Sequence, residues 1–497
     1  MKVFQAIFYC LIFANSTFAQ SNNVLLSRDF WKTNPTLELL KQKIAEGNDP
    51  TELNESAYDP TVYAILEKAD FSVISYLLTI KGNSAQKLTH DSRTYLHWAA
   101  NVEDLSTLKL LFEKGASTNI KDSHGYTPLA YAASNGYKTA ELFELFQKNG
   151  CNLLTEKNDD GANLFLLNAP YFKTRSDIDY FISKGFKITD VDSKNNNIFS
   201  YLTRGGKRDL LLYATSKGVD FKTLNNDGAN AFSFAVQGVR GNINSIEFYE
   251  YLRLLGLKVN IVDNTGSSPL HTLSSSSNDP QIINYFLDQG ANVNQQDSKG
   301  NTAFMNACAR NKSDIVNILL PKTSNINLQN KEGINAIMMA VRSNSIDVLN
   351  LLIDKGADLS LKDAKGNDLS YHLVASFSER KQEPFIAKAD LLKKAGFQIG
   401  AIQSKGNSLI HQAIYFNSIS LLKLLEAYNI PIDYMNEDGM TALHLAAMKA
   451  SDDSLLKYLI ERGASVTIKT SMGESVMDLA KENEVLSKKK VSLAFLN

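Results

Sequence analysis

The sequence predicts an all-α solenoid of helix-turn-helix units joined by β-turn or hairpin loops. Three observations predict it. Turn glycines recur on a period near 33 residues, apolar residues between them fall at i, i+3 and i+4, and the composition is that of a packed chain without covalent staples. The chain has 497 residues, 44% hydrophobic and 21% charged, with 52 basic side chains against 53 acidic ones and a net charge of -1. That balance excludes intrinsic disorder and bulk electrostatic capture of nucleic acid. Three cysteines, Cys10, Cys151 and Cys308, are too few for a disulfide-dense scaffold or a four-cysteine zinc site.

The clearest register is an Asx-x-x-Gly turn ahead of a small or apolar helix opening. It reads Asp122-Ser-His-Gly-Tyr-Thr-Pro-Leu-Ala, Asp263-Asn-Thr-Gly-Ser-Ser-Pro-Leu-His, Asp297-Ser-Lys-Gly-Asn-Thr-Ala-Phe and Asn436-Glu-Asp-Gly-Met-Thr-Ala-Leu-His-Leu-Ala-Ala. The turn glycines, or residues standing in their place, fall at Asp59, Ser92, Gly125, Gly161, Asn195, Gly228, Gly266, Gly300, Gly333, Gly366, Gly406, Gly439 and Gly473. These are thirteen units at steps of 33 to 40, and the two longest steps, 38 and 40, imply insertions at Ser274 to Asp279 and Ser376 to Pro384.

Each element has a local cause. The Asx side chain can bond to the backbone that follows it, while glycine takes the positive φ a tight turn requires. Thr127, Thr302 and Thr441 offer a hydroxyl to the first amides of a short helix, and Pro128 and Pro269 suit its first position. Ala pairs at 99-100, 132-133 and 446-447 leave no bulk on the face toward the next unit, so first helices can stack closely. The second helix is amphipathic, as in Ile346 to Ile353 and Leu455 to Ile460, and stops at a glycine: Gly115, Gly150, Gly290, Gly356 or Gly463.

On these residues the chain resembles the ankyrin repeat family, over about residues 55 to 480. The match weakens in 158 to 224, where the spacing survives without Thr-Pro-Leu-His, and at Leu319-Leu320-Pro321, which lacks the glycine stop. The resemblance implies that His97, His271, His411 and His444, five residues after the turn position, are structural and bond the turns of adjacent units. It also implies that partner contacts come from the residue after the turn and from positions near the end of the first helix. Those slots hold Arg93, Tyr126, Arg204, Arg310, Arg342, Tyr415 and Phe416, and the aromatic pair Tyr415-Phe416 is the best single candidate.

The first residues carry one lysine, an apolar run from Val3 to Ala14 and small residues at Thr17 and Ala19, the layout of a cleaved secretory signal over 1 to 19. The domain reading is then a signal peptide 1 to 19, an N-terminal capping half-repeat 28 to 54, an array 55 to 469 and C-terminal capping helices 470 to 497. The array is expected to be one continuous solenoid, since no linker rich in Pro, Gly and Ser divides it. The Lys488-Lys-Lys490 run reads as cations near a helix end.

No phosphate-binding loop, nucleophile elbow, zinc-protease helix or dinucleotide fingerprint is present. Paired carboxylates at 159-160, 437-438 and 452-453 fall on turn tips or helix starts, where capping explains them. His90 and His124 lie on adjacent tips, two ligands being too few for a metal site. Cys151 and Cys308 are expected to be buried small hydrophobes, five repeat steps apart and unpaired. The expectation is a monomeric non-enzymatic scaffold or inhibitor without cofactor or metal, exported to the periplasm or medium, which binds a protein partner through the concave face. The alternative is a secreted effector that engages foreign host proteins.

Overall fold

The computed structural model describes residues 23 to 310 and 312 to 496; the expected signal segment lies outside them. Among the described residues every regular element is helical, with only isolated antiparallel bridges such as Lys157 to Asn163 and Lys469 to Ser475. The chain forms two compact units, residues 23 to 292 and 293 to 496.

Within each unit the repeat is built as its residues dictate. In the unit around Gly125, Asp122 Oδ1 accepts from the amides of His124 and Tyr126, both at 2.9 Å, and Gly125 takes φ 78°. The hairpin tip so formed is tied to its neighbour by one backbone bond, Ser123 N to Asp91 O at 2.8 Å, and the same link recurs from Ser193 N to Asp160 O and from Ala364 N to Glu332 O. At such a junction only hydrogen fits on the glycine: a Cβ on Gly333 would sit 2.3 Å from Ala364 N.

Helix Pro128–Ser134 then starts on Thr127, whose hydroxyl accepts from Ala130 N at 3.3 Å, with proline in the first turn. It stacks on Tyr95–Val102, which stacks on Pro60–Leu66, with Ala99, Ala100, Ala132 and Ala133 fully buried. The second helices end where expected: Gly115 takes φ 77° and Ala116 N reaches back to Leu111 O at 2.9 Å, which satisfies a carbonyl the helix leaves open.

One feature of the packing has no counterpart in the sequence pattern. The open carbonyls at the end of many first helices are taken by a polar side chain of the next repeat. Asn244 Nδ2 donates to Thr203 O (2.9 Å), Asn344 Nδ2 to Cys308 O (2.8 Å) and Asn483 Nδ2 to Ala447 O (3.0 Å). Two buried lysines do the same work, Lys138 on Asn101 O and Lys388 on Val341 O, and burial holds both ammonium groups below their usual pKa.

Two expectations are corrected. Asp59 is not in the turn position: it is the N-cap of Pro60–Leu66, accepting from Val62 N at 2.8 Å. The first tip is Asn54 to Tyr58, with Ala57 at φ 58° in the glycine place. The insertion assigned to 274 to 279 lies earlier, in the loop between Phe232–Ala235 and Ile246–Leu254, since Pro269–Ser276 and Pro280–Asp288 are joined by three residues only. The other insertion is where the step of 40 placed it, ahead of the twelve-residue helix Glu383–Lys394.

The irregular stretch after residue 158 keeps the repeat but shortens its first helices, to Leu164–Asn168 and Phe232–Ala235. Phenylalanines at 165, 172, 181 and 186 pack edge and face at 5.4 to 6.2 Å and fill the core there. The missing glycine stop after Ser313–Leu319 is replaced by a 3-10 turn, Leu320–Lys322.

Candidate functional site

Unit 23 to 292 carries a groove of about 460 Å³. Its floor is set by a register position that repeats with the fold, the sixth residue after each turn position. In consecutive repeats this is Trp98, Tyr131, Leu167, Tyr201 and Phe234, and the last four line the groove. Because first helices stack in register, these side chains form a ladder, with Trp98 and Tyr131 rings 5.9 Å apart and Tyr201 and Phe234 5.2 Å apart.

Arg93 is threaded into this ladder. Its guanidinium lies 5.2 Å from the Trp98 ring and 4.2 Å from Tyr131, while Nε donates to Asp122 Oδ2 at 2.9 Å and Nη1 lies 3.1 Å from Asp91 Oδ2. The side chain is 10% exposed, so Arg93 is a buried strut with one edge on the groove. Tyr126 and Arg204 are half-buried and line the same groove. Arg204 makes one hydrogen bond, from Nε to Gly238 O at 3.2 Å.

The tip side of the groove mixes charges and amides: Asp160, Asp192, Asn158 and Asn196 line it together with His124 and Lys194, whose Nζ lies 2.7 Å from Asp227 Oδ2. Asp192 is buried and takes bonds from Tyr201 OH and Asn196 Nδ2, both 2.8 Å. Burial, and then the Asp192 charge, push the Tyr201 phenol far above its usual pKa, so it stays a donor. Asp160 stands beside it with Asn158.

The other candidates lie in unit 293 to 496. Arg310 and Arg342 are exposed at the ends of Ala303–Arg310 and Ala336–Ser343. Tyr415 is 60% exposed under Lys449, whose Nζ is 4.8 Å from the ring centre, and Phe416 is 40% exposed, edge-on to Phe377 at 6.2 Å. Three of the seven residues, Arg93, Tyr126 and Arg204, meet in the groove. What the sequence reading passed over is the sixth-position ladder, a stripe of aromatics one residue beyond the histidine slot.

The histidines of that slot are structural. His97 Nε2 meets Tyr126 O at 3.1 Å, His411 Nε2 meets Met440 O at 2.9 Å and His444 Nε2 meets Ile468 O at 3.1 Å, each reaching the next tip. The Nδ1 of His97, and that of His271, accepts from the amide that opens its own helix. Burial lowers the His97 pKa to about 4. His90 and His124 each place Nε2 3.4 Å from Asp91 Oδ2, and no group of three acidic, histidine or cysteine side chains among the described residues has the arrangement a metal needs. Cys151 and Cys308 are buried, unpaired and raised in pKa by desolvation.

A family model for ankyrin repeats (3 copies) matches residues 61–157, 270–363 and 382–470, together more than half of the chain. The chain belongs to the ankyrin-repeat family. The groove's second half, from Asn158 to Gln237, falls between the matched segments. Relatives include the palmitoyltransferase AKR1 of Debaryomyces hansenii, 30% identical over 125 residues that make up 24% of this chain and 15% of that protein. A transient receptor potential cation channel subfamily A member 1 homolog of Caenorhabditis elegans is 26% identical over 41% of this chain and 16% of its own length. Ankyrin repeat domain-containing protein 53 of Mus musculus is 34% identical over 17% of this chain and 18% of its own. The chain thus spans less than a fifth of each. The crystal structure of the human ASB11 ankyrin repeat domain aligns with 44% of this chain and 96% of that domain, at 20% identity and a TM-score of 0.38.

Proposed function

We propose that this ankyrin-repeat chain is an exported, monomeric, non-enzymatic scaffold or inhibitor that holds a protein partner in the concave groove of residues 23 to 292. The observation that carries the reading is the aromatic ladder with Arg93 locked inside it. Rigid aromatic and arginine side chains in a concave, partly desolvated surface supply most of the energy in protein interfaces, and here their order is set by the fold before binding. Export rests on the apolar run and small residues at the start of the sequence.

The test uses the double variant Tyr126→Ala, Phe234→Ala, two half-buried groove residues. Partner capture from envelope and culture-medium fractions should fall about tenfold with the helical circular dichroism unchanged. Unchanged capture removes the groove from the reading. Parallel capture by Tyr415→Ala, Phe416→Ala reads whether the second unit contributes. The fraction that yields the partner separates a scaffold of the envelope from an effector of foreign proteins. N-terminal sequencing should find Gln20 or Ser21 first, and an intact Met1 on cytoplasmic material would contradict export.

A further inference from the structure

The groove is lined by Arg93, Lys194 and Arg204 against Asp160 and Asp192, and the arginine left open selects its occupant. Arg204 lines the groove, Arg240 lies two residues beyond the Gly238 whose carbonyl Arg204 bonds, and among the described residues neither has a carboxylate within ion-pair distance. Arg204 spends one N–H on Gly238 O and leaves the rest of its guanidinium fork open. Arg240 sits in the inserted loop, where Val239 and Asn242 pair as a tight hairpin. Glycine forces that hairpin: Gly238 holds φ 59°, and a Cβ there would lie 2.0 Å from Asn242 O. The hairpin follows directly on Gln237, which lines the groove. Arg240 reaches to 6.0 Å from the Tyr171 ring, and its Nη2 would be 3.0 Å from a Cβ on Gly136, the residue after groove-lining Asn135. The nearby Glu103 carboxylate is taken up by the Thr139 amide and hydroxyl.

We infer that the groove takes an extended acidic peptide segment of the partner, with carboxylates on Arg204 and Arg240 and an apolar or aromatic side chain against Tyr201 and Phe234. This rests on the reading that the groove binds protein. Two open guanidinium forks match carboxylates in bidentate geometry, and their mutual repulsion is relieved by an anion. Asp160 and Asp192 also line the groove, and Lys194 beside them is held by Asp227, so a continuous polyanion such as nucleic acid would meet carboxylates as well as cations. A short acidic segment can set its carboxylates on the arginines and leave Asp160 and Asp192 unopposed.

The experiment is selection of a random dodecapeptide phage library on the full chain. Enriched sequences should carry Asp and Glu well above library frequency together with an aromatic residue. Their affinity should fall about fivefold or more in Arg204→Gln, Arg240→Gln, recover in part in Arg204→Lys, Arg240→Lys, and weaken as salt rises from about 50 mM to about 300 mM. The arginines make only one carbonyl bond and one ring contact, so circular dichroism and melting should stay near native. No enrichment, enrichment without acidic residues, or binding indifferent to the Gln pair overturns the inference. Partner capture distinguishes the two readings. Loss with Tyr126→Ala, Phe234→Ala but not with the Gln pair leaves a protein-binding groove that does not select acid, whereas no loss with either removes the groove itself.

Discussion

Taking away the Arg93 side chain would strand Asp122, whose carboxylate has no exposed surface, without its cation. Breaking a buried pair on one side costs about 3 kcal/mol or more. Arg93→Ala should therefore lower the melting temperature of the N-terminal unit by several degrees, and any loss of partner capture in that variant reports folding; a native melt would show the strut to be dispensable. The residue was legible as an interface slot but not as a strut, because its buried state depends on Asp122 and Tyr131 of the next repeat, beside Trp98 of its own. The histidine slot makes a second prediction. An unfolded imidazole takes its proton near pH 6.5, while His97 in the fold does so only near 4, so between those values the unfolded chain binds the extra proton and stability falls as pH falls. The full effect for His97 is on the order of 3 kcal/mol, and burial lowers His372, His411 and His444 as well. Melting temperature should decline steadily from pH 6.5 to 5, above the usual carboxylate range, and less steeply in His97→Gln. A flat profile across that interval would contradict buried neutral histidines.

At the scale of the element, turns and helices were readable wherever a side chain acts on its own neighbours. Asp122, Asp263, Asp297 and Asn436 all bond the amides two and four residues ahead, and Gly115 and Gly463 end their helices at positive φ. What stayed hidden acts between repeats. Asn483 shows this twice over: its oxygen caps Glu484–Lys488, accepting from Val485 N at 2.9 Å, and its amide closes Ala447 O and Ala450 O. The sequence offers only an asparagine before a glutamate. Asn483→Asp should keep the cap yet leave two carbonyls facing an anion, and so destabilise the last repeat more than Asn483→Ala, itself worth about 2 kcal/mol. Hydrogen exchange of Ala442–Lys449 and Val476–Glu482 reads the difference, and protection kept in Asn483→Asp but lost in Asn483→Ala would reduce the residue to a cap. The inserted hairpin was misplaced for a related reason. A step of 38 residues gives an insertion's existence, but where the extra residues go was set by the short helix Phe232–Ala235, which the apolar pattern did not mark.

For the molecule as a whole, repeats that touch only their neighbours make stability a sum of local terms, so damage should spread a short way. The two buried cysteines are natural reporters of that range. Cys151 lies in the unit of residues 23 to 292 and Cys308 in the unit of 293 to 496; both are desolvated, with pKa raised, so neither should react with a bulky thiol reagent in the native state. Leu129 is fully buried in Pro128–Ser134, the first helix of the repeat whose glycine stop is followed by Cys151, and an aspartate there leaves a carboxylate among apolar side chains. In a Cys10→Ser background, Leu129→Asp should speed labelling of Cys151 by about tenfold or more, while Cys308 keeps its native rate, as read by mass spectrometry of the two peptides in mild urea. Chelators should change neither rate. Equal acceleration at both thiols would mean that the chain unfolds as one cooperative body, and the nearest-neighbour account of its stability would fail.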